Sequence, residues 1–227
     1  MMRLYIFCEG QTEEAFVNNI LAPHFLPLEV MVTPLILPNK RGSNARQHKG
    51  GWVDYGKARR FICQMMQQMH GEDTWFTTML DLYALPADFP SAGEGPQGKA
   101  DVRVTALEAA FYADISRDGL WRFTPNLQLH EYEALLLAEP EALIHFYPDR
   151  TDAVAALRAE IADLAPEAVN DGAETAPSKR ILRYIPEYSK VVAGTLVAME
   201  IGLPTLRARC PHFGAWLTEL ERATVRA

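Results

Sequence analysis

The chain has 227 residues, 48% hydrophobic and 22% charged, a balance that supports one sizeable core and excludes disorder and a coiled coil. Its formal net charge is −7, no apolar run reaches the ~18 residues of a membrane span, and the start turns acidic at Glu9 without a cleavage site, so a cytoplasmic protein without membrane contact is expected. Three widely spaced cysteines, Cys8, Cys63 and Cys210, without C-x-x-C spacing, indicate neither a disulfide framework nor a zinc site and predict reduced core residues.

Leu4 to Cys8 is a short apolar run closed by Glu9-Gly10, and Ala15, Phe16, Ile20 and Leu21 follow on a helical period, which predicts strand, turn and helix over Thr12 to Phe25. Val30 to Leu37 predicts a second strand, with Pro34 pointing to an edge position or a bulge. A polar loop over 39–51 precedes a helix over Trp52 to Met69. Trp75 to Asp81 predicts a strand ending in a carboxylate, Val102 to Ile115 a helix, Arg122 to Leu129 a strand and Glu131 to Ala138 a helix. This alternation predicts an α/β fold with a mostly parallel sheet flanked by helices over residues 1–140. The remainder, 141–227, predicts a helical C-terminal part packed on that core, with helices over Ala153 to Leu164, Lys179 to Tyr184, Val191 to Ile201 and Phe213 to Ala223.

Charge is unevenly spread. Residues 39–60 carry seven basic groups, among them Lys40, Arg41, Arg46 and Lys49, against Asp54 alone. Residues 177–210 hold Lys179, Arg180, Arg183, Lys190, Arg207 and Arg209 against Glu187 and Glu200. Two basic segments on an acidic body point to a phosphate-bearing partner, with Lys40, Arg41, Arg46, Lys49, Arg180 and Lys190 as nucleic-acid contacts; ordinary solvated faces explain the pattern equally well.

In a parallel sheet, ligands gather beyond the carboxyl ends of the strands. Glu9 emerges from the first strand there, ahead of a helix for which Thr12 is the natural cap, and a cap gives no reason for Glu9. Asp81 ends another strand on the same edge; alone it reads as a turn initiator, but with Glu9 it can hold a hard cation such as Mg2+, which takes one or two carboxylates plus water and phosphate oxygens. His130, Glu131 and Glu133 lie at a strand–helix junction without H-E-x-x-H spacing, and the dipole of the helix start also accounts for the two acids. Ser178 suits a cap, and the backbone N–H groups behind it, with Lys179 and Arg180, would attract a phosphate.

The stretches CEGQTEE (8–14), Gly50-Gly51 to Tyr55, TTMLDLYALPADFP (77–90), PNLQLHEYEALLLA (125–138), APSKRI (176–181) and CPHF (210–213) together resemble the bacterial domain of unknown function 4276. Glu9 and the TTMLDLY segment are also similar to the Toprim unit of topoisomerases, primases and overcoming-lysogenization-defect nucleases, which pairs a glutamate after its first strand with Asp-x-Asp after its third. Here Tyr83 stands where the second aspartate belongs, so Asp88, Glu131 or Glu133 would complete the site, or it would hold a single metal. The resemblance implies a Toprim-like α/β core and a Mg2+- or Mn2+-dependent phosphodiester nuclease, the effector of an ATPase-linked phage-defence module. Glu9, Asp81 and Glu133 would bind metal, Glu131 or Glu133 would accept a proton, and Lys179 or Lys190 would stabilise developing charge. The alternative is a non-catalytic binding or regulatory partner subunit of an ABC-type ATPase, because families of this group often look like partners of such ATPases; a small phosphoester substrate is a third option.

Overall fold

The structure, a computed structural model, describes residues 1–38, 54–92, 100–162, 164–169 and 175–225. The chain forms two compact units, one built from Met1–Leu127 and Leu220–Ala227, the other from Gln128–Glu219.

The first unit is organised by β1 (Met2–Cys8), in which Leu4, Ile6, Phe7 and Cys8 are all buried. A strand apolar on both sides belongs in the middle of a parallel sheet covered on both faces. β1 pairs in parallel with β2 (Val30–Ile36) on one side and with β3 (Thr74–Asp81) on the other. β4 (Phe123–Thr124) extends the sheet in parallel, giving the order β2-β1-β3-β4, and β5 (Leu127–Gln128) pairs with β3 off that path. β2 is therefore the edge strand expected from Pro34, which lies opposite Ile6 and lacks an N–H that a central strand would need.

The strand expected over Arg122 to Leu129 is two short pieces instead. Pro125 has no N–H, and the Asn126 N–H bonds to the Thr78 hydroxyl while that hydroxyl lies 2.8 Å from the Asn126 carbonyl, so a side chain replaces the ladder at the break.

The first helical stretch also differs in kind. α1 (Gln11–Phe16) runs into a π-helical segment at Val17–Leu21 and then α2 (Ala22–Phe25). Pro23 accounts for the widened turn: its ring crowds the carbonyl of Asn19 and it has no N–H to donate there. α3 (Tyr55–Gln68) is capped by Asp54, whose side chain accepts from the Lys57 N–H at 3.0 Å. α4 (Ala100–Ser116) buries Val104, Leu107, Phe111 and Ile115, spaced for one helical face. Phe111 meets Phe123 of the sheet at 5.2 Å, Phe89 at 5.2 Å and Tyr55 at 5.9 Å between ring centroids, making an aromatic core for the first unit.

The second unit contains α5 (Glu133–Leu136), α6 (Thr151–Ile161), α7 (Pro177–Tyr184), a π-helical segment at Lys190–Gly194 leading into α8 (Thr195–Ile201), and α9 (Leu203–Arg209). α10 (Pro211–Val225) runs from the second unit into the first. Leu135, Leu136 and Leu137 are buried, as their run suggested. α9 is the helix that periodicity does not announce. It begins after Gly202, whose φ of 79° turns the chain, with Pro204 tolerated at its second position.

All three cysteines are buried and free, as expected. Among the described residues no single helix is long and apolar enough to cross a membrane.

Candidate functional site

The chain passes from β1 outward to β2 and then returns to lay β3 on the other side of β1. The strand order therefore reverses between β1 and β3, and the carboxyl ends of those two strands form the position where open α/β sheets bind ligands. Glu9 directly follows β1, and Asp81 is the last residue of β3. The structure brings them together: the Asp81 N–H donates to Glu9 Oε2 at 3.3 Å, and the two residues are only 9% and 6% exposed.

The surrounding residues have separable structural work. The helix after Glu9 is capped by Gly10 and not, as expected, by Thr12, which is buried within the first turn. Gly10 has no side chain to offer, so Glu13 reaches back and its Oε2 accepts the Gly10 N–H at 3.0 Å. Thr77 donates to the Thr124 carbonyl and Thr78 to that of Asn126, which assigns the two threonines of TTMLD to sheet stitching. Asp88 lies at the start of α3, where it accepts from the N–H groups of Tyr55 and Gly56 at 3.1 and 3.4 Å. Tyr83 sits in a 3-10 turn just past Asp81 and is 46% exposed.

Of the first basic cluster, Lys40, Arg41, Arg46 and Lys49 lie outside the described residues, as does the Gly50-Gly51 turn. Arg59 is committed to the fold. It contacts Asp114 at 2.6 Å and Asp118 at 2.9 Å, while Lys57 stands 3.6 Å from Asp54.

In the second unit, the phosphate site expected at the start of α7 already has an anion. Glu131 Oε1 accepts the Ser178 N–H at 2.5 Å, and Ala176, not Ser178, is the capping residue, with Pro177 in the first turn. Lys179 beside it is exposed, whereas Arg180 is 6% exposed, bonded to Glu160 and, at 2.9 Å, to the Thr175 carbonyl. Glu133 is turned to a different partner, Lys190, with 3.6 Å between Oε2 and Nζ. Lys190 Nζ also lies 5.4 Å from the centre of the Tyr132 ring, and the Tyr132 hydroxyl donates to the Gly194 carbonyl at 3.2 Å. Burial and the nearby Glu133 charge push the Tyr188 phenol well above its ordinary range. His130 adopts φ of 67°, in the left-handed region that histidine tolerates better than most side chains.

One buried acid escaped the sequence reading. Both oxygens of Glu167 accept N–H groups at the start of α10, from His212 at 2.8 Å and Phe213 at 3.0 Å. Its partners lie more than forty positions away, so no local capping pattern could reveal it.

Among the described residues no group of three or more His, Cys, Asp or Glu side chains could hold a metal ion. Glu9 and Asp81 are two hard carboxylates at adjacent strand ends, the residue type that Mg2+ or Mn2+ takes together with water and phosphate oxygens.

A family model described as domain of unknown function (DUF4276) matches residues 8–221. No curated protein and no solved structure matches the chain.

Proposed function

We propose, from the premise that the chain belongs to the DUF4276 family, that it is a Mg2+- or Mn2+-dependent phosphodiesterase acting on nucleic acid, with Glu9 and Asp81 as the metal-holding carboxylates of a Toprim-like site. The observation that carries this reading is the joining of the two residues at the reversal point of a parallel sheet. Both acids are buried at neighbouring strand ends, where a divalent cation would favour the charged form of each. When bound, the cation would activate water and neutralise charge on the phosphate.

The chain's own residues would preorganise that site. The Asp81 N–H fixes the orientation of the Glu9 carboxylate, and the paired central strands hold both acids on rigid backbone. Glu131, Glu133 and Lys190 have partners within their own unit, and the proposed metal pair does not require them. Lys179, exposed on α7, is available to a polyanion. This activity suits a cytoplasmic setting, with nucleic acid at hand and the three thiols reduced.

The test is cleavage of single- and double-stranded DNA and RNA with Mg2+ or Mn2+ by the full chain and by Glu9→Gln and Asp81→Asn. Both variants should lose activity while keeping the far-UV circular dichroism of the parent. Undiminished cleavage by Glu9→Gln removes the mechanism.

Tyr83, in place of a second acid, favours one other reading: a non-catalytic subunit of an ABC-type ATPase in a phage-defence module. Absence of hydrolysis on every substrate, together with stable co-purification with such an ATPase, would select it.

A further inference from the structure

The first unit has a cleft of about 450 Å3 at the amino end of its sheet. Thr74, at the start of β3, lines it, whereas Asp81 ends the same strand, so cleft and carboxylate pair are separated by roughly 23 Å of extended chain. The volume falls within the range of small-molecule sites. Phe76 and Met66, both buried, supply apolar lining, and Trp121, Arg122, His70 and Glu72 supply the chemistry.

Trp121 is 56% exposed yet held in place. The Arg122 guanidinium lies over its ring at 4.8 Å from the centroid, and Trp75 meets it at a steep angle at 6.1 Å. His70 Nδ1 is 2.5 Å from the Gln67 carbonyl; a carbonyl only accepts, so Nδ1 carries a proton and the ring is held in place. Glu72 is exposed and supplies two acceptor oxygens. The charges of Glu72 and Arg122 balance, so the group the cleft recognises is a base and not a phosphate. An apolar slot with a stacking indole and two acceptor oxygens calls for a flat neutral ring with hydrogen-bond donors along one edge.

We infer that this cleft binds a guanine base, with Trp121 stacking on the ring and Glu72 accepting from N1–H and the 2-amino group. Guanine presents those two donors side by side, matching the two oxygens of one carboxylate, whereas adenine has no ring N–H beside its amino group. The assignment is independent of the metal reading and stands if Glu9 and Asp81 hold no cation. Free guanosine and a guanine of a single strand share this chemistry.

Calorimetric titration of the full chain with guanosine, inosine, adenosine and a guanine-containing single-stranded tetranucleotide tests it, with tryptophan fluorescence followed in parallel. Guanosine or the tetranucleotide should bind at one site with fluorescence quenching, and inosine, lacking the 2-amino donor, should bind at least about tenfold more weakly than guanosine. Trp121→Ala and Glu72→Gln, both at exposed positions, should retain the fold and weaken binding by about tenfold or more. Tighter binding of the tetranucleotide than of guanosine would assign the site to a strand, and the reverse to the free nucleoside. No saturable binding of either, binding unchanged in both variants, or adenosine binding as tightly as guanosine overturns the inference.

Discussion

Several acids of this chain look alike in sequence and do different things in the fold. Glu13, Asp88, Glu131 and Glu167 each take backbone N–H groups near a helix start, where the dipole and unpaired donors favour a carboxylate. Glu9 instead accepts the N–H of a strand-terminal residue, at the end of the sheet where ligands bind, and that separates a candidate ligand from a cap. Glu167 offers a direct measurement. Glu167→Ala leaves two N–H groups at the start of α10 without their acceptor and should cost about 1–3 kcal/mol in chemical denaturation. Burial raises the Glu167 carboxyl above its ordinary 4.5, against the opposing pull of the two N–H donors. The folded state therefore holds its proton more tightly than the unfolded chain, and this contribution to stability is present at low pH and lost as pH rises through the raised value. The stability of the parent relative to Glu167→Gln should decline as pH climbs above 4.5; a difference that grows with pH would contradict the assignment.

Helices and strands are interrupted where proline requires it, and the repair is specific each time. Pro23 widens the first helix into a π-turn without ending it, because flanking apolar residues such as Ile20, Leu21 and Phe25 keep that segment anchored. Pro125 divides the expected fourth strand, and Thr78 bonds Asn126 across the gap. Thr78→Val keeps the shape but removes that hydroxyl from a fully buried place, so it should destabilise the protein by about 1–3 kcal/mol, read from urea melts. Thr78→Ser, retaining the hydroxyl, should recover most of the loss. A Thr78→Val variant as stable as the parent would mean the contact contributes nothing.

The first unit is braced by a polar cluster joining α3 to α4: the Tyr55 hydroxyl donates to Asp114 at 2.6 Å, and Arg59 bonds Asp114 and Asp118. Burial would raise the Asp114 carboxyl, but the bonds from Tyr55 and Arg59 outweigh it and leave the group below its ordinary 3.8. The stability this confers is complete above 3.8 and is lost as pH falls through the depressed value, so Asp114→Asn should flatten the acid limb of the stability profile below pH 4 and cost about 1–2 kcal/mol at neutral pH. An acid limb identical in parent and variant would show that the cluster does not act this way.

Element order, the edge position of the proline-bearing strand, the buried cysteines and the carboxylates closing two strands were legible because each is a local pattern: periodicity, a missing N–H, a polar residue at the end of an apolar run. Which acid caps which helix was not legible, since Glu131 meets Ser178 and Glu167 meets Phe213 across stretches no window spans. Nor could spacing reveal that Arg180 is buried on Glu160, or that Trp121 and Glu72, nearly fifty positions apart, line one cleft. Short-range hydrogen bonding and burial are written along the chain, while partnership between distant side chains comes into being with the packing that brings them together.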